Sequence, residues 1–194
     1  MQMVAIIGAG PAGMLAASQA ARLGAKVILL EQNERLGKKL VITGKGRCNV
    51  TNNSDTDTLV KNMPGNGRFL YSALTAFGSQ DLQAFLQSHG VELKVERGNR
   101  VFPRSDRSFD IVDGLRLALE RNNVEVRLRS RVSQLIMEKG RVAGLIVNEQ
   151  PLNANAVIIC TGGASYPATG STGDGYRLAA AAGHTIIPPR AALV

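Results

Sequence analysis

The stretch from Met3 to Glu31 constrains this chain more than any other. Met3 to Ile7 (MVAII) is short, wholly apolar and rich in β-branched residues, which is how a strand buried on both faces reads. The turn GAGPAG follows at Gly8 to Gly13. Met14 to Leu23 is Ala-rich and helical in pattern, with Gly24 placed as the residue just past the helix end. Lys26 to Leu30 (KVILL) is a second apolar strand, closed by Glu31. This is one βαβ unit of about the minimum length. It commits the chain to an α/β fold built on a parallel sheet.

Each residue of the turn has a physical task. Gly8 permits the tight exit from the strand, Gly10 leaves the backbone open to a pyrophosphate, and Gly13 lets the helix pack on the sheet. Pro11 gives up an N–H that has no intrahelical partner in any case. Pro11 lies near the first helical turn, and the helix N-terminus offers unpaired N–H groups and a positive dipole end that suit an anion. Glu31 stands at about the 20-residue spacing at which an acid meets the ribose of such a ligand. Its carboxylate accepts from ribose hydroxyls and repels a 2′-phosphate, so NADP is disfavoured here. The alternative is a Gly-rich βα turn without a ligand, and strand, turn, helix and acid together argue against it. These features specify a dinucleotide and leave NAD and FAD open, because both present ADP.

The rest of the chain reads as follows. Residues 32–65 are polar and Gly-rich and are expected to form a long functional loop. Residues 67–89 are helical in two pieces, broken near Gly78-Ser79. Residues 91–102 form a hairpin around Gly98-Asn99. Phe109 to Arg121 is an amphipathic helix with Ile111, Val112, Leu115 and Leu119 on one side, capped by Ser108 or Asp110. Val124 to Leu128 is a strand, and 132–137 with 141–147 is a hairpin around Lys139-Gly140. Ala156 to Cys160 repeats the buried-strand signature. A second Gly-rich loop runs from Thr161 to Gly175, with Asp174 as the expected cap of a helix from Tyr176 to Ala182. His184 to Ile187 is expected as a last strand, stopped by Pro188-Pro189.

Composition adds exclusions. The net charge is +8, from 23 Lys and Arg against 15 Asp and Glu. The basic residues are scattered, so an anionic ligand or a solvated surface accounts for them better than nucleic acid does. The two cysteines, Cys48 and Cys160, lack metal or redox spacing. No signal peptide or membrane-length apolar run is seen, and a reducing cytoplasm is the expected setting. Cys48 beside Arg47 is a candidate for a lowered pKa, although a small packed residue is the simpler role. Cys160 reads as core. Lys38, Lys39 and Lys45 are either pyrophosphate counter-charges or exposed. His89 suits a helix C-terminus, and neither it nor His184 has a partner at catalytic spacing. Tyr166 is a loop aromatic, near a ligand or packed on Pro167, and Arg104 and Arg107 are candidates for an anionic substrate.

Longer motifs carry a resemblance. Glu31-x5-Gly37, VITGKGRCNVTN (41–52), RVFPRSDRS (100–108), CTGGASYPATGSTGDGY (160–176) and GHTIIPPRAALV (183–194) resemble the HI0933-like flavoproteins. That family includes aminoacetone oxidase-like and bile-acid-reductase-like enzymes. The resemblance implies a glutathione-reductase-like, Rossmann-type FAD fold, with a parallel sheet crossed by the 132–147 hairpin and a hairpin inserted at about 91–104. It implies FAD as cofactor, held by Gly8, Gly10, Pro11, Ala12, Gly13 and Glu31. Gln32 would lie beside the ribose, and Lys39, Gly46, Arg47, Cys48 and Asn49 on the pyrophosphate and flavin side. Val132 would meet adenine through its backbone, and Thr161, Gly162 and Gly163 would pass close to the dinucleotide. Members of the family run well beyond this length, so residues 1–194 are expected to be the N-terminal part of a longer protein.

The expected function is two-electron transfer between FAD and an unidentified small molecule, with NAD(P)H as a candidate donor. No catalytic residue, metal, membrane or nucleic-acid partner is assigned, and oligomeric state stays open. The rivals are a tRNA-modifying or RNA-binding flavoprotein, an NAD-dependent dehydrogenase and a non-enzymatic FAD-binding sensor.

Overall fold

The structure is a computed structural model that describes residues 2–189. In chain order its elements are β1 (Met3–Ile7), α1 (Pro11–Arg22), β2 (Lys26–Leu30), β3 (Thr51–Asn52), α2 (Thr56–Lys61), α3 (Tyr71–Ala76), α4 (Ser79–Ser88), β4 (Leu93–Glu96), β5 (Arg100–Pro103), α5 (Ser108–Arg121), β6 (Glu125–Arg127), β7 (Val132–Glu138), β8 (Arg141–Val147), β9 (Gln150–Asn153), β10 (Ala156–Ile159) and α6 (Asp174–Ala181). Short 3-10 turns span Leu40–Gly46, Gly67–Leu70 and Pro167–Thr169. The chain divides into two units, Met1–Lys38 with Leu119–Val194, and Lys39–Ala118.

The first unit holds a four-stranded parallel sheet in the order β10-β1-β2-β6. β1 and β2 read as unbroken apolar runs because both their faces are covered. On one face Ala5, Ile7, Ile28 and Leu30 form a core with Val132, Leu145, Val147 and Ala154 from the β7–β9 region and Leu178 from α6. The pleat sends Val4, Ile6, Val27 and Leu29 to the other face. There α1 packs on β1 and β2 and buries Met14 and Ala17.

Three expectations change in this unit. The crossover is a three-stranded meander, β7-β8-β9, rather than a hairpin. Asn148 and Glu149 both take positive φ and turn β8 into β9, as a two-residue hairpin requires. Pro151 is tolerated because β9 is an edge strand. β10 is also an edge, so Ile158 stays 37% exposed rather than buried on both faces. The strand expected at 184–187 does not form. No described strand pairs with that segment, the His184 N–H goes back to the Ala179 carbonyl, and Ile187 is exposed. β-branched residues without a ladder partner do not make a strand. Arg190 to Val194, the end of the last family-like motif, lie outside the described residues.

The second unit contains the expected hairpin, here β4-β5, joined by β3 into a three-stranded sheet, β3-β5-β4. Residues 39–118, which include the hairpin, form a unit of their own. The stretch expected as a loop holds the 3-10 turn at Leu40–Gly46, β3 and α2. Asp55 caps α2 by accepting from the Thr58 N–H at 2.7 Å. The Ser108 hydroxyl donates to the Val41 carbonyl at 3.0 Å and so anchors the start of α5. No helix among the described residues is long and apolar enough to cross a membrane.

Candidate functional site

The three motif glycines turn out to have different reasons. Gly8 has φ +98°, and a Cβ there would lie 2.5 Å from the Cys160 carbonyl oxygen. A Cβ on Gly13 would collide with the Gly8 carbonyl. Both are required by packing at the carboxyl ends of β1 and β10. Gly10 is different. Its φ of −73° and ψ of 178° suit any residue, and nothing lies within 4 Å of a Cβ built on it. The protein itself does not need a glycine there, whereas a ligand approaching the backbone does.

Gly10 is the N-cap of α1 and gives no side-chain cap, with Pro11 next in the first turn. The N–H groups of Ala12 and Gly13 therefore have no partner within the helix. Such an end attracts anions.

Glu31 follows β2 and is buried, only 7% exposed. Oε2 accepts from the Ala9 N–H at 2.7 Å. Oε1 accepts from the Asn33 N–H at 2.8 Å and from Asn33 Nδ2 at 2.6 Å. A carboxylate offers about four acceptor sites. The three donors hold it in place beside the turn, and Oε2 keeps a site for one more donor.

The second Gly-rich loop reaches the same place. Gln32 Nε2 donates to the Gly170 carbonyl at 3.0 Å, and Asn33 Nδ2 to the Thr169 carbonyl at 3.1 Å. Gln32 thus serves as a tether to the loop. Thr161 follows β10, and its Oγ1 is the one buried side-chain polar atom among the described residues without a hydrogen-bond partner. Such an atom asks for a ligand or a water. Gly162 has φ +76°, and Gly163 lies within reach of the Tyr176 hydroxyl. The Ser130 N–H donates to the Glu31 carbonyl at 2.8 Å, which brings the start of β7 beside Glu31. The Val132 side chain itself is core. Asp174 is the first residue of α6 rather than its cap, which is Gly173, and it accepts from the Thr172 hydroxyl.

The first unit thus brings together Gly8, Gly10, Pro11, Ala12, Gly13, Glu31, Gln32, Val132, Thr161, Gly162 and Gly163. An open glycine, an uncapped helix end, an anchored carboxylate and an orphaned hydroxyl fit the ADP portion of a dinucleotide. Asn33 was missed by sequence reasoning. Its signal was an Asn two residues past the acid, a spacing at which its side chain reaches back.

Lys39, Gly46, Arg47, Cys48 and Asn49 belong to the second unit. Arg47 Nη2 pairs with Glu96 Oε1 at 2.5 Å and Asp106 Oδ1 at 2.7 Å, and its guanidinium lies 4.2 Å from the Phe102 ring centroid. Lys94 joins the same two carboxylates. The cations hold Glu96 and Asp106 below the usual carboxylate range. Cys48 has φ +61° and is buried. Burial pushes its thiol up, against a smaller opposite pull from a hydrogen bond with Thr43, so the lowered pKa expected from Arg47 does not occur. Cys160 is half-buried and its thiol is also raised by burial. His89 caps α4, bonding the Phe85 carbonyl through Nδ1 at 2.7 Å. Among the described residues no cluster of His, Cys, Asp or Glu is arranged to hold a metal.

The chain is 37% identical to the 3-dehydro-bile acid delta(4,6)-reductase of Clostridium scindens, over 100% of this chain and 47% of that protein. It is 33% identical to the ribosomal RNA dihydrouridine synthase of Escherichia coli, over 97% of this chain and 46% of that protein. The chain spans about half the length of the curated relatives it matches. Among solved structures, a flavocytochrome c3 fumarate reductase superposes with a TM-score of 0.70 at 25% identity, over 93% of this chain and 40% of that one. The Mycobacterium smegmatis Sdh1 complex in the apo form gives 0.68 at 20% identity, over 94% and 39%, and shares the fold. The model of the HI0933-like protein Rossmann domain matches residues 2–191. With its parallel sheet, glycine turn and buried Glu31, the chain belongs to the HI0933-like Rossmann domain family.

Proposed function

We propose that this chain is the FAD-binding part of a flavin-dependent oxidoreductase acting on a small organic molecule. The observation that carries the reading is the buried Glu31 carboxylate, held beside the uncapped N-terminus of α1. In this reading Glu31 Oε2 accepts from a ribose hydroxyl. The Ala12 and Gly13 N–H groups meet the diphosphate, Gly10 leaves the approach clear, and Thr161 Oγ1 gains a partner. Gly8, Pro11, Gly162 and Gly163 shape the backbone around the same ligand, and the backbone at Val132 borders the adenine. When bound, FAD supplies the two-electron chemistry, while the protein binds and orients it. The assignments of Lys39, Gly46, Arg47, Cys48 and Asn49 to the flavin side rest on family resemblance alone.

A small-molecule substrate is supported by the relative with the higher identity, named a bile-acid reductase. The relative named a ribosomal RNA dihydrouridine synthase supports an RNA substrate, which would show as salt-sensitive RNA binding. NAD(P)H remains the candidate donor. The test is competition. FAD titrated into the chain should be displaced by ADP and not by FMN, because the proposed contacts are to the adenosine half. Displacement by FMN alone would refute the reading.

A further inference from the structure

Both ends of the Asn33 side chain and both of its backbone groups are held by protein contacts. Its N–H and Nδ2 both donate to Glu31 Oε1, and Nδ2 also donates to the Thr169 carbonyl. Its Oδ1 accepts from Lys38 Nζ at 3.1 Å, and its carbonyl accepts from the Arg129 N–H at 2.9 Å. These partners fix the amide orientation: the nitrogen faces two acceptors and the oxygen an ammonium group. Both side-chain N–H groups of Asn33 are thereby used within the protein.

Its effect on Glu31 is specific. Two of the three donors to the carboxylate come from this one residue, and both fall on Oε1. Oε1 is thereby filled, and Oε2 is the oxygen with an acceptor site to spare. The same amide holds the second Gly-rich loop through Thr169.

We propose that Asn33 is a positioning residue: it fills Glu31 Oε1, so that the carboxylate presents Oε2 to the ribose, and ties that carboxylate to the 165–173 loop. The inference rests on the FAD reading given above. Charge-assisted hydrogen bonds of this kind are the strong ones, and losing one side-chain donor costs on the order of tenfold in affinity.

The charged groups around the pair are Glu31 itself, Lys38 on the amide oxygen, and Arg129, whose side chain lies 4.0 Å from Glu34. Asn33→Asp puts a carboxylate against Glu31 Oε1. Two carboxylates in contact share a proton with a strongly raised pKa, which the single Lys38 charge only partly offsets. At about pH 8 the introduced carboxylate repels Glu31, and lowering the pH to about 5.5 favours its protonated form, whose single O–H can donate to Oε1 but not to the Thr169 carbonyl as well.

The test is FAD binding to the 194-residue chain, followed by flavin fluorescence at both pH values, with the melting temperature of each variant recorded. Wild type should bind with little pH dependence. Asn33→Ala should bind on the order of tenfold more weakly at both pH values. Asn33→Asp should bind at least that weakly at the higher pH and recover part of its affinity at the lower one. Two outcomes overturn the proposal: both variants binding like wild type, or Asn33→Asp staying weak at both pH values in step with a lowered melting temperature. A wild-type chain that binds no FAD refutes the FAD reading, and the positioning role falls with it.

Discussion

Glu31 Oε2 and the Ala9 N–H are joined by a 2.7 Å hydrogen bond across the mouth of the glycine turn. The second strand thereby fastens the backbone of the turn that follows the first. Glu31→Gln keeps the shape of the side chain. Its amide nitrogen, however, must face a donor, either Ala9 N or the Asn33 pair. A buried donor left against another donor costs about 1–3 kcal/mol, so urea denaturation should show a loss of that size. Unchanged stability would mean that the bond contributes nothing to the fold.

Gly10 and Gly13 should separate ligand binding from folding. Gly13→Ala drives its Cβ into the Gly8 carbonyl, and backbone has no room to yield. It should lose about 3 kcal/mol or fail to fold. Gly10→Ala meets nothing within 4 Å and should stay within about 0.5 kcal/mol of wild type. A Gly10→Ala protein as unstable as Gly13→Ala would show that Gly10 too is there for packing.

The Arg47–Glu96–Asp106–Lys94 cluster sets an acid limit on the second unit. Glu96 and Asp106 are held below their ordinary values of 4.5 and 3.8. Their contribution is present above those values and is lost as pH falls through the lower folded ones. Lys94 and Arg47 are raised, so their share is complete below their ordinary values and fades only in strong alkali. The cluster is half-buried, with Asp106 its most exposed member, and the effect should weaken with salt. Melting curves of wild type and Asp106→Asn should converge on acidification. A gap that stays constant into strong acid would assign Asp106 no electrostatic role.

Cys48 should be a poor nucleophile. Burial raises its thiol, and the thiolate is the reactive form. In a Cys160→Ala background, iodoacetamide should label Cys48 in the folded chain at least about tenfold more slowly than in urea. Rapid labelling of the folded protein would restore a redox role.

What the sequence disclosed follows from how local each signal is. β1, the glycine turn, α1 and β2 are specified within Met3 to Glu31, and the structure has them with Pro11 already inside the helix. The β4-β5 hairpin was legible from Gly98-Asn99, both at positive φ. β9 was not legible, because Gln150, Pro151 and Asn153 suit only an edge strand that β8 recruits. The segment 184–187 failed the other way: its residues favour a strand and no described partner takes it. Within the site, Glu31 and the glycines were readable from spacing. Asn33 was not, because its importance lies in joining Glu31 to Thr169, which are far apart in sequence. Arg47 was read from its motif, whereas its partners Glu96 and Asp106 come from the hairpin and the turn after it.

The most direct test of the central claim is a visible absorption spectrum. Wild-type and Gly10→Ala chains would be incubated with FAD, desalted and compared. The account expects flavin bands that survive desalting in wild type and are absent or much reduced in Gly10→Ala, with both proteins folded by circular dichroism. A folded wild-type chain that emerges colourless, or a Gly10→Ala chain that retains as much flavin as wild type, would contradict it.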